Sequence, residues 1–132
     1  MLVVGKAGVR HQPDVRDAYV DTLRAKGPDA LLDEFAADFF APGSDVDHVR
    51  ALMHQQSVDQ LVRGVTAFHT RPDAADVLAE FKGPVRIVRG VHDRIGRHNP
   101  TDPRTIEVPG AGHYVNLDQP TAFTAILREL LP

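Results

Sequence analysis

Apolar residues recur at three- and four-residue spacing through most of the first 82 residues, which predicts a series of amphipathic helices. The first predicted helix begins at Pro13, because proline suits the first turn of a helix, and it ends at Gly27. The pattern restarts at Pro28 and stops at Ala41-Pro42-Gly43. Two helices are therefore expected before residue 44.

Two serines mark the starts of two further predicted helices. Ser44 is followed three residues later by Asp47, and Ser57 by Gln60, and each pair precedes a run of apolar residues. A serine with an acid or amide three residues further on is typical of a helix-capping box. A fifth, shorter helix completes a helical segment that is predicted over 13–82.

Beyond residue 83 the pattern changes to short runs rich in β-branched residues. Residues 85–90 and 105–108 are two such runs, and each is typical of a strand. A third candidate strand, 2–5, is a short apolar run that ends in glycine. Turn-forming residues predict a loop over 94–104, and Pro120 opens a final helix.

Composition narrows the class of protein. A chain of 132 residues with 42% apolar and 25% charged residues is typical of a single soluble domain, here an α/β domain over 1–132. Basic residues are scattered and the net charge is -3, so nucleic-acid binding is not expected. No run approaches the roughly 20 apolar residues of a membrane span. The absence of cysteine is compatible with a reducing cytoplasm, which is the expected location.

Three blocks in the second half resemble the end of an α/β-hydrolase. They are 81–93, which is a strand followed by Asp93, then 108–113, which is a strand followed by Gly110-Ala111-Gly112 and His113, and finally 117–123, which leads into the last helix. In that family one strand delivers the catalytic aspartate and the next delivers the catalytic histidine after a glycine-rich turn. The resemblance therefore implies catalytic roles for Asp93 and His113.

The same resemblance gives the rest of the chain an interpretation. The helices of 13–82 look like the lid or cap of the family, 2–5 looks like its sixth strand, and 83–132 is the strand-strand-helix portion. The expected fold is a truncated α/β-hydrolase with a short parallel sheet. The nucleophile elbow, G-x-S-x-G, which places serine on a tight strand-to-helix turn, has no counterpart.

Two departures from the family weaken the case for ordinary serine catalysis. The serines, Ser44 and Ser57, both occupy helix-capping contexts and neither is flanked by glycine. Asp93 and His113 are also separated by a proline-rich loop where relatives usually have a helix. Loss of that helix would leave one face of the sheet less covered.

Asp93 and His113 still permit proton transfer without serine. Ends of neighbouring parallel strands lie about 5 Å apart, so the carboxylate can accept from Nδ1 and leave Nε2 free as a base. This predicts hydrolysis, cyclisation or elimination on a small acyl or lactone-like substrate. Two alternatives stay open: a non-catalytic binding or scaffold protein, and a serine-hydrolase fragment whose nucleophile lies elsewhere.

Candidate substrate-binding residues adjoin these two or lie in the helical segment. His92, Arg94 and Tyr114 are sequence neighbours of Asp93 and His113. Five apolar residues of the helices are candidates to line an acyl-chain pocket, or alternatively to form the helical core: Phe35, Phe39, Phe40, Met53 and Phe68. Arg86, Arg89 and Arg94 would bind an acidic substrate or pair with local carboxylates such as Glu107 or Asp118.

No metal or cofactor is expected. His92, His98 and His113 lie within a short span, but their spacing matches no established zinc pattern. His11, His48, His54 and His69 fall on helices or helix ends and are interpreted as surface or hydrogen-bonded residues.

A homodimer is expected from the predicted sheet. If 2–5 lies at the edge of the sheet, its unpaired backbone groups need cover, and a second copy related by a two-fold axis would provide it.

Overall fold

A computed structural model of the chain describes residues 2–4, 13–95 and 102–131. The described residues form a mixed α/β structure. Its strands are β1 (Leu2–Val4), β2 (Arg86–Gly90) and β3 (Thr105–Val108). Its helices are α1 (Pro13–Lys26), α2 (Pro28–Phe39), α3 (Val46–His54), α4 (Val58–Thr70), α5 (Ala75–Glu80), α6 (Val115–Asp118) and α7 (Pro120–Arg128).

The three strands form one parallel sheet in the order β1-β2-β3. Ile87 pairs with Val3 on one side and with Thr105 on the other. The predicted parallel neighbours are therefore confirmed, and the carboxyl ends of β2 and β3 meet at one edge. Gly5, which closes the predicted first strand, lies outside the described residues.

The sheet packs apolar side chains on both faces because successive residues of a strand point in opposite directions. One face carries a cluster built around fully buried Val88: Val108, Ala111, Val115 and Ile126. On the other face Ile87 packs with Leu78 of α5 and with Val85. Ile126 brings α7 against the sheet, as the apolar face of the final helix predicts.

The five helices of the 13–82 segment follow the predicted order. α1 packs against α2 and α4, and α2 packs against α3. Leu23 of α1 is buried at this junction, with 1% of its surface exposed. No helix in the described ranges is long and apolar enough to cross a membrane, and α1 has 14 residues.

Some local predictions are wrong. Asp45, not Ser44, caps α3, because its carboxylate accepts the His48 backbone N–H at 3.0 Å. The apolar residues Val77, Leu78 and Phe81 were all expected on α5. The helix buries Leu78, whereas Val77 and Phe81 are 61% and 42% exposed. The helix is six residues long and Phe81 lies beyond its end, so it has a narrow buried face. The short helix α6 carried no pattern long enough to predict it.

Ser57 forms the predicted capping box with Gln60. The Ser57 hydroxyl accepts the Gln60 backbone N–H at 3.2 Å, and the Gln60 side chain accepts the Ser57 backbone N–H at 2.7 Å. Ser57→Ala is expected to lower the free energy of unfolding by about 1 kcal/mol. Ser44→Ala is the matched control, because the buried Ser44 hydroxyl makes no hydrogen bond within the described structure. Equal losses in urea unfolding of the two variants would contradict the capping role.

An ion pair between Asp102 and Arg104 fixes the chain just before β3. Arg104 Nη2 lies 2.6 Å from the carboxylate, and Nη1 donates to the Leu78 carbonyl oxygen of α5 at 3.2 Å. Hydrogen bonds from the Arg104 side chain, and then from its backbone N–H, lower the pKa of Asp102 to about 2. The folded pKa lies below the unfolded one of about 3.9.

This shift contributes stability that is present above pH about 4 and is lost as pH falls toward about 2. We therefore expect the difference in unfolding free energy between wild type and Asp102→Asn to narrow over that pH range. Urea unfolding followed by circular dichroism at a series of pH values measures it. In an Arg104→Met background the narrowing should disappear, and a difference independent of pH would contradict the assignment.

Candidate active site

Asp93 lies in the turn directly after β2. Its backbone N–H donates to the Gly90 carbonyl oxygen at 3.1 Å, and its Oδ1 accepts the Ile95 backbone N–H at 2.9 Å. The residue is 2% exposed. Backbone and side-chain hydrogen bonds thus hold the buried carboxylate in one orientation, as a buried ionisable group requires.

The turn that carries His113 is held from three directions. The His92 backbone N–H donates to the Ala111 carbonyl oxygen at 2.9 Å, and Gly112 N–H donates to the Asp118 carboxylate at 2.7 Å. His113 N–H donates to the Phe39 carbonyl oxygen at 2.6 Å. The end of α2 and the last residue of α6, Asp118, therefore both position the histidine.

Two glycines permit this close approach. A Cβ atom at Gly90 would overlap the carbonyl oxygens of Ala111 and Gly112. A Cβ atom at Gly112 would lie 2.5 Å from the Phe39 oxygen and 2.7 Å from the Ala41 nitrogen. Both positions need glycine because neighbouring backbone occupies the space of a side chain.

The two predicted catalytic side chains are in contact. His113 Nδ1 lies 3.2 Å from Asp93 Oδ2, across the ends of β2 and β3. Such a contact favours the tautomer with the proton on Nδ1 and leaves the Nε2 lone pair free to accept a proton. No described residue forms a hydrogen bond with Nε2, and 19% of the His113 side chain is exposed.

His113 also lines a cavity of about 410 Å³ beneath the helices. The other described lining residues come from α1 to α4 and from the turn after β3. They are Tyr19, Leu31, Leu32, Phe35, Phe39, Phe40, Val49, Met53, Gly64, Val65, Phe68, His69 and Tyr114. The His113 imidazole therefore lines an apolar cavity and also contacts the Asp93 carboxylate through Nδ1.

Two tyrosines, Tyr114 and Tyr19, are among the described residues that line this cavity. The Tyr114 ring stacks on Phe39 at a centroid distance of 5.9 Å and lies 5.5 Å from the His113 ring. Burial raises the pKa of Tyr114. Burial, followed by the nearby charges of Asp38 and Tyr114, raises the pKa of Tyr19. Both phenols are accordingly protonated donors near neutral pH.

Comparison with known proteins gives similarity at the level of structure. No protein-family model and no curated protein matches the sequence. A thermophilic esterase from Thermogutta terrifontis, solved with malate bound, superposes with a TM-score of 0.74 over 94% of this chain, at 19% identity. An esterase from Exiguobacterium antarcticum superposes with a TM-score of 0.62 over 88% of the chain, at 20% identity.

The chain has part of an α/β-hydrolase fold. It spans about half the length of these esterases, 52% of the first and 47% of the second. Asp93 and His113 lie at the ends of the adjacent strands β2 and β3.

Predicted substrate-binding residues separate into two groups in this α/β-hydrolase fold. Phe39, Phe68 and Tyr114 line the His113 cavity. His92 and Arg94 instead line a second cavity, of about 380 Å³, beside the Ala41-Pro42 end of α2. The turn after β2 and the turn after β3 thus contribute side chains to different cavities. Their nearness to Asp93 and His113 in the sequence does not reveal this.

Phe68 lies at the open rim of the first cavity. It is 53% exposed, and the Arg71 guanidinium carbon lies 3.8 Å from the centre of its ring. The Arg71 side chain also donates to the Phe68 carbonyl oxygen at 2.6 Å. These contacts fix the position of the rim aromatic.

Tyr19 and His69 line the cavity although sequence reasoning assigned them no site role. The Tyr19 ring contacts Phe35 at 4.3 Å and His69 at 5.9 Å between centroids. The spacing of Val15, Ala18, Tyr19 and Leu23 predicts one apolar face of α1, and the Tyr19 hydroxyl on that face was the available signal. His69 had no comparable signal, because a histidine near a helix end is usually solvated.

The three arginines near the site have carboxylate neighbours. Arg89 pairs with Glu107 at 3.0 Å, as expected if these arginines pair with local carboxylates and do not bind an acidic substrate. Arg86 and Arg94 lie 3.8 and 4.0 Å from the carboxylates of Glu129 and Asp38. None of the three is among the described residues lining the 410 Å³ cavity.

No cluster of three or more potential metal ligands occurs in residues 2–4, 13–95 and 102–131. His98, one member of the histidine group noted in the sequence, lies outside the described residues. His113 and His92 face different cavities.

Proposed function

We propose that this chain hydrolyses a small, uncharged ester or lactone, with His113 as general base and Asp93 as its partner. One observation carries the proposal: the same imidazole contacts the buried Asp93 carboxylate and lines the apolar cavity. Hydrolysis needs both a cavity that holds the substrate and a general base that can reach it, and His113 belongs to both.

The proposed step uses water in place of a serine. His113 Nε2 accepts a proton from water as the water oxygen attacks the substrate carbonyl carbon. The resulting imidazolium is stabilised by Asp93, and it returns the proton to the leaving alkoxide oxygen when the C–O bond breaks. Asp93 stays ionised throughout, and its role is to orient and stabilise the ring.

The positions of the two serines, away from His113, support attack by water and not by a serine hydroxyl. Ser57 is the exposed N-cap of α4, where its hydroxyl is engaged by the Gln60 backbone. Neither Ser57 nor Ser44 is among the described residues lining the cavity of His113.

Hydrolysis of a panel of uncharged short- and medium-chain esters and lactones by the pure chain tests the proposal. We expect turnover above the buffer rate, lost in His113→Gln. The matched control is His48→Gln, the same substitution at an exposed histidine of α3, and it should retain the wild-type rate. Ligand binding without turnover in the wild type would favour the non-catalytic binding protein instead.

A second candidate is one half of a serine esterase, and the observation that favours it is length. The chain spans about half of each esterase it resembles. If a separate polypeptide supplies the serine, a neighbouring reading frame should encode G-x-S-x-G in a strand-turn-helix context. Co-expression should then give a complex whose new serine reacts with a fluorophosphonate, and His113→Gln should abolish that reaction. Labelling of Ser44 or Ser57 in the isolated chain would contradict this candidate.

The predicted homodimer stays a prediction, as does the cytoplasmic location. In the described structure β1 pairs with β2 along one edge, and its other edge has no strand partner. We propose that a second copy covers that edge. Sedimentation equilibrium at micromolar concentration should give twice the mass of the 14.5 kDa chain, and a monomer would contradict the dimer.

A further inference from the structure

The chemistry of the cavity wall limits what the cavity can hold. Four of its described lining residues carry a side-chain nitrogen or oxygen: Tyr19, His69, His113 and Tyr114. No Asp, Glu, Lys or Arg is among the described lining residues. A buried charge needs a partner of opposite sign, and a buried polar group needs a hydrogen bond. The ligand should therefore be uncharged, with its polar atoms confined to the neighbourhood of these four side chains.

The tyrosines are placed to meet such a polar atom beside His113. Tyr114 follows His113 directly, and the two rings are 5.5 Å apart. Phe39 and Phe40 pack against the Tyr114 ring at 5.9 and 5.3 Å, so the ring has a fixed orientation.

Tyr19 approaches the same space from α1. It packs edge-on against Phe35, and it lines the same cavity as Tyr114 and His113. One phenol thus comes from the helical segment and one from the strand portion.

We propose that the Tyr19 and Tyr114 hydroxyls form a polar site in the cavity, which donates hydrogen bonds to one oxygen of an uncharged, otherwise apolar ligand beside His113. The inference rests on the proposed function and names the ligand class of that site. For an ester, the bound oxygen is the carbonyl oxygen, which gains negative charge when water attacks. Fixed donors at that position stabilise the charge.

A ketone that cannot be hydrolysed tests the site without requiring turnover. Methyl pentyl ketone, heptane and heptanoate serve as matched probes, titrated while the NMR signals of the Leu31, Leu32 and Val65 methyl groups are followed. We expect the ketone to bind wild type at least tenfold more tightly than heptanoate, because no Lys or Arg is among the described residues that line the cavity to pair with the carboxylate.

Tyr19→Phe and Tyr114→Phe should each weaken ketone binding on the order of fivefold, and the double variant more, because each removes one donor. Heptane affinity should not change, since the rings and their packing remain. His48→Gln is the control for replacement of a polar side chain, and it should leave ketone affinity intact, because His48 is exposed and is not among the described residues that line the cavity.

Several outcomes would overturn the inference. They are heptanoate binding as tightly as the ketone, unchanged ketone affinity in the double tyrosine variant, equal weakening of ketone and heptane, or an equal loss of ketone affinity in His48→Gln. Failure of the proposed function is a separate result, because absence of ester hydrolysis leaves the ketone titrations readable. Equally, normal hydrolysis by the double variant would leave the base assignment standing while removing the tyrosine site.

Discussion

Replacement of Asp93 by asparagine is expected to lower the ester hydrolysis proposed for this chain roughly 10²- to 10⁴-fold. The carboxylate accepts the Nδ1 proton of His113 at 3.2 Å and so keeps the Nε2 lone pair available. An asparagine amide can donate to Nδ1 instead. That favours the tautomer with the proton on Nε2, which cannot accept a proton from water.

The tautomer itself provides a readout that needs no substrate. Imidazole ¹⁵N chemical shifts should show the Nδ1–H form of neutral His113 in wild type and a shift toward the Nε2–H form in Asp93→Asn. Asp38→Asn is a control, because Asp38 lies near Arg94 and Tyr19 without contributing to the His113 contact. Wild-type rate and unchanged tautomer in Asp93→Asn would remove Asp93 from the mechanism.

Stability must be measured alongside the rate, since Asp93 is 2% exposed and accepts the Ile95 backbone N–H. A variant that is folded by circular dichroism and retains ketone binding, yet has lost turnover, separates a chemical role from a structural one.

Gly112→Ala is expected to lower the free energy of unfolding by about 3 kcal/mol or more. The new methyl group would lie 2.5 Å from the Phe39 oxygen and 2.7 Å from both the Ala41 nitrogen and the Phe40 carbonyl carbon. These atoms belong to the backbone at the end of α2, so no side-chain rotation can relieve the overlap. The His113 N–H bond to Phe39 would be displaced as well.

Gly64→Ala provides a control of opposite sign. Gly64 lies within α4, and a Cβ atom there meets nothing within 4 Å. Alanine suits a helix interior better than glycine by about 1 kcal/mol, so this variant should be more stable than wild type. Urea unfolding by circular dichroism suits both, because the chain has no tryptophan. A Gly112→Ala protein as stable as wild type would contradict the close packing of the turn.

Local sequence was sufficient for most of the secondary structure. The helices of 13–82 and the strands at 85–90 and 105–108 each carry a periodic pattern long enough to distinguish them, and all appear in the structure. Features that span a few residues were missed. The cap at Asp45 and the exposed Val77 depend on a displacement or rotation of one residue, which apolar spacing does not resolve.

The meeting of Asp93 and His113 was implied by the resemblance to the α/β-hydrolase family, in which adjacent parallel strands deliver the acid and the base to one edge. The cavity itself could not be predicted from the sequence, nor could the presence of Tyr19 and His69 in its wall. Sequence reasoning left Phe35, Phe39, Phe40, Met53 and Phe68 equally suited to a solid core and to a pocket wall. Their spacing is the same in both cases, since each requires an apolar helix face.

By itself, the sequence determined the order and type of the elements other than α6, the parallel pairing of β2 with β3, and the placement of an acid and an imidazole at their ends. The elements follow from local apolar periodicity and strand composition, whereas the pairing and the placement of the two side chains follow from the resemblance of three short blocks to the α/β-hydrolase family. The tertiary structure decided which residues share a cavity with His113, separating Phe39 and Tyr114 from His92 and Arg94 and adding Tyr19. That choice depends on how α1, α2 and α4 pack over the strand ends, and helix packing is set by contacts between residues far apart in the chain.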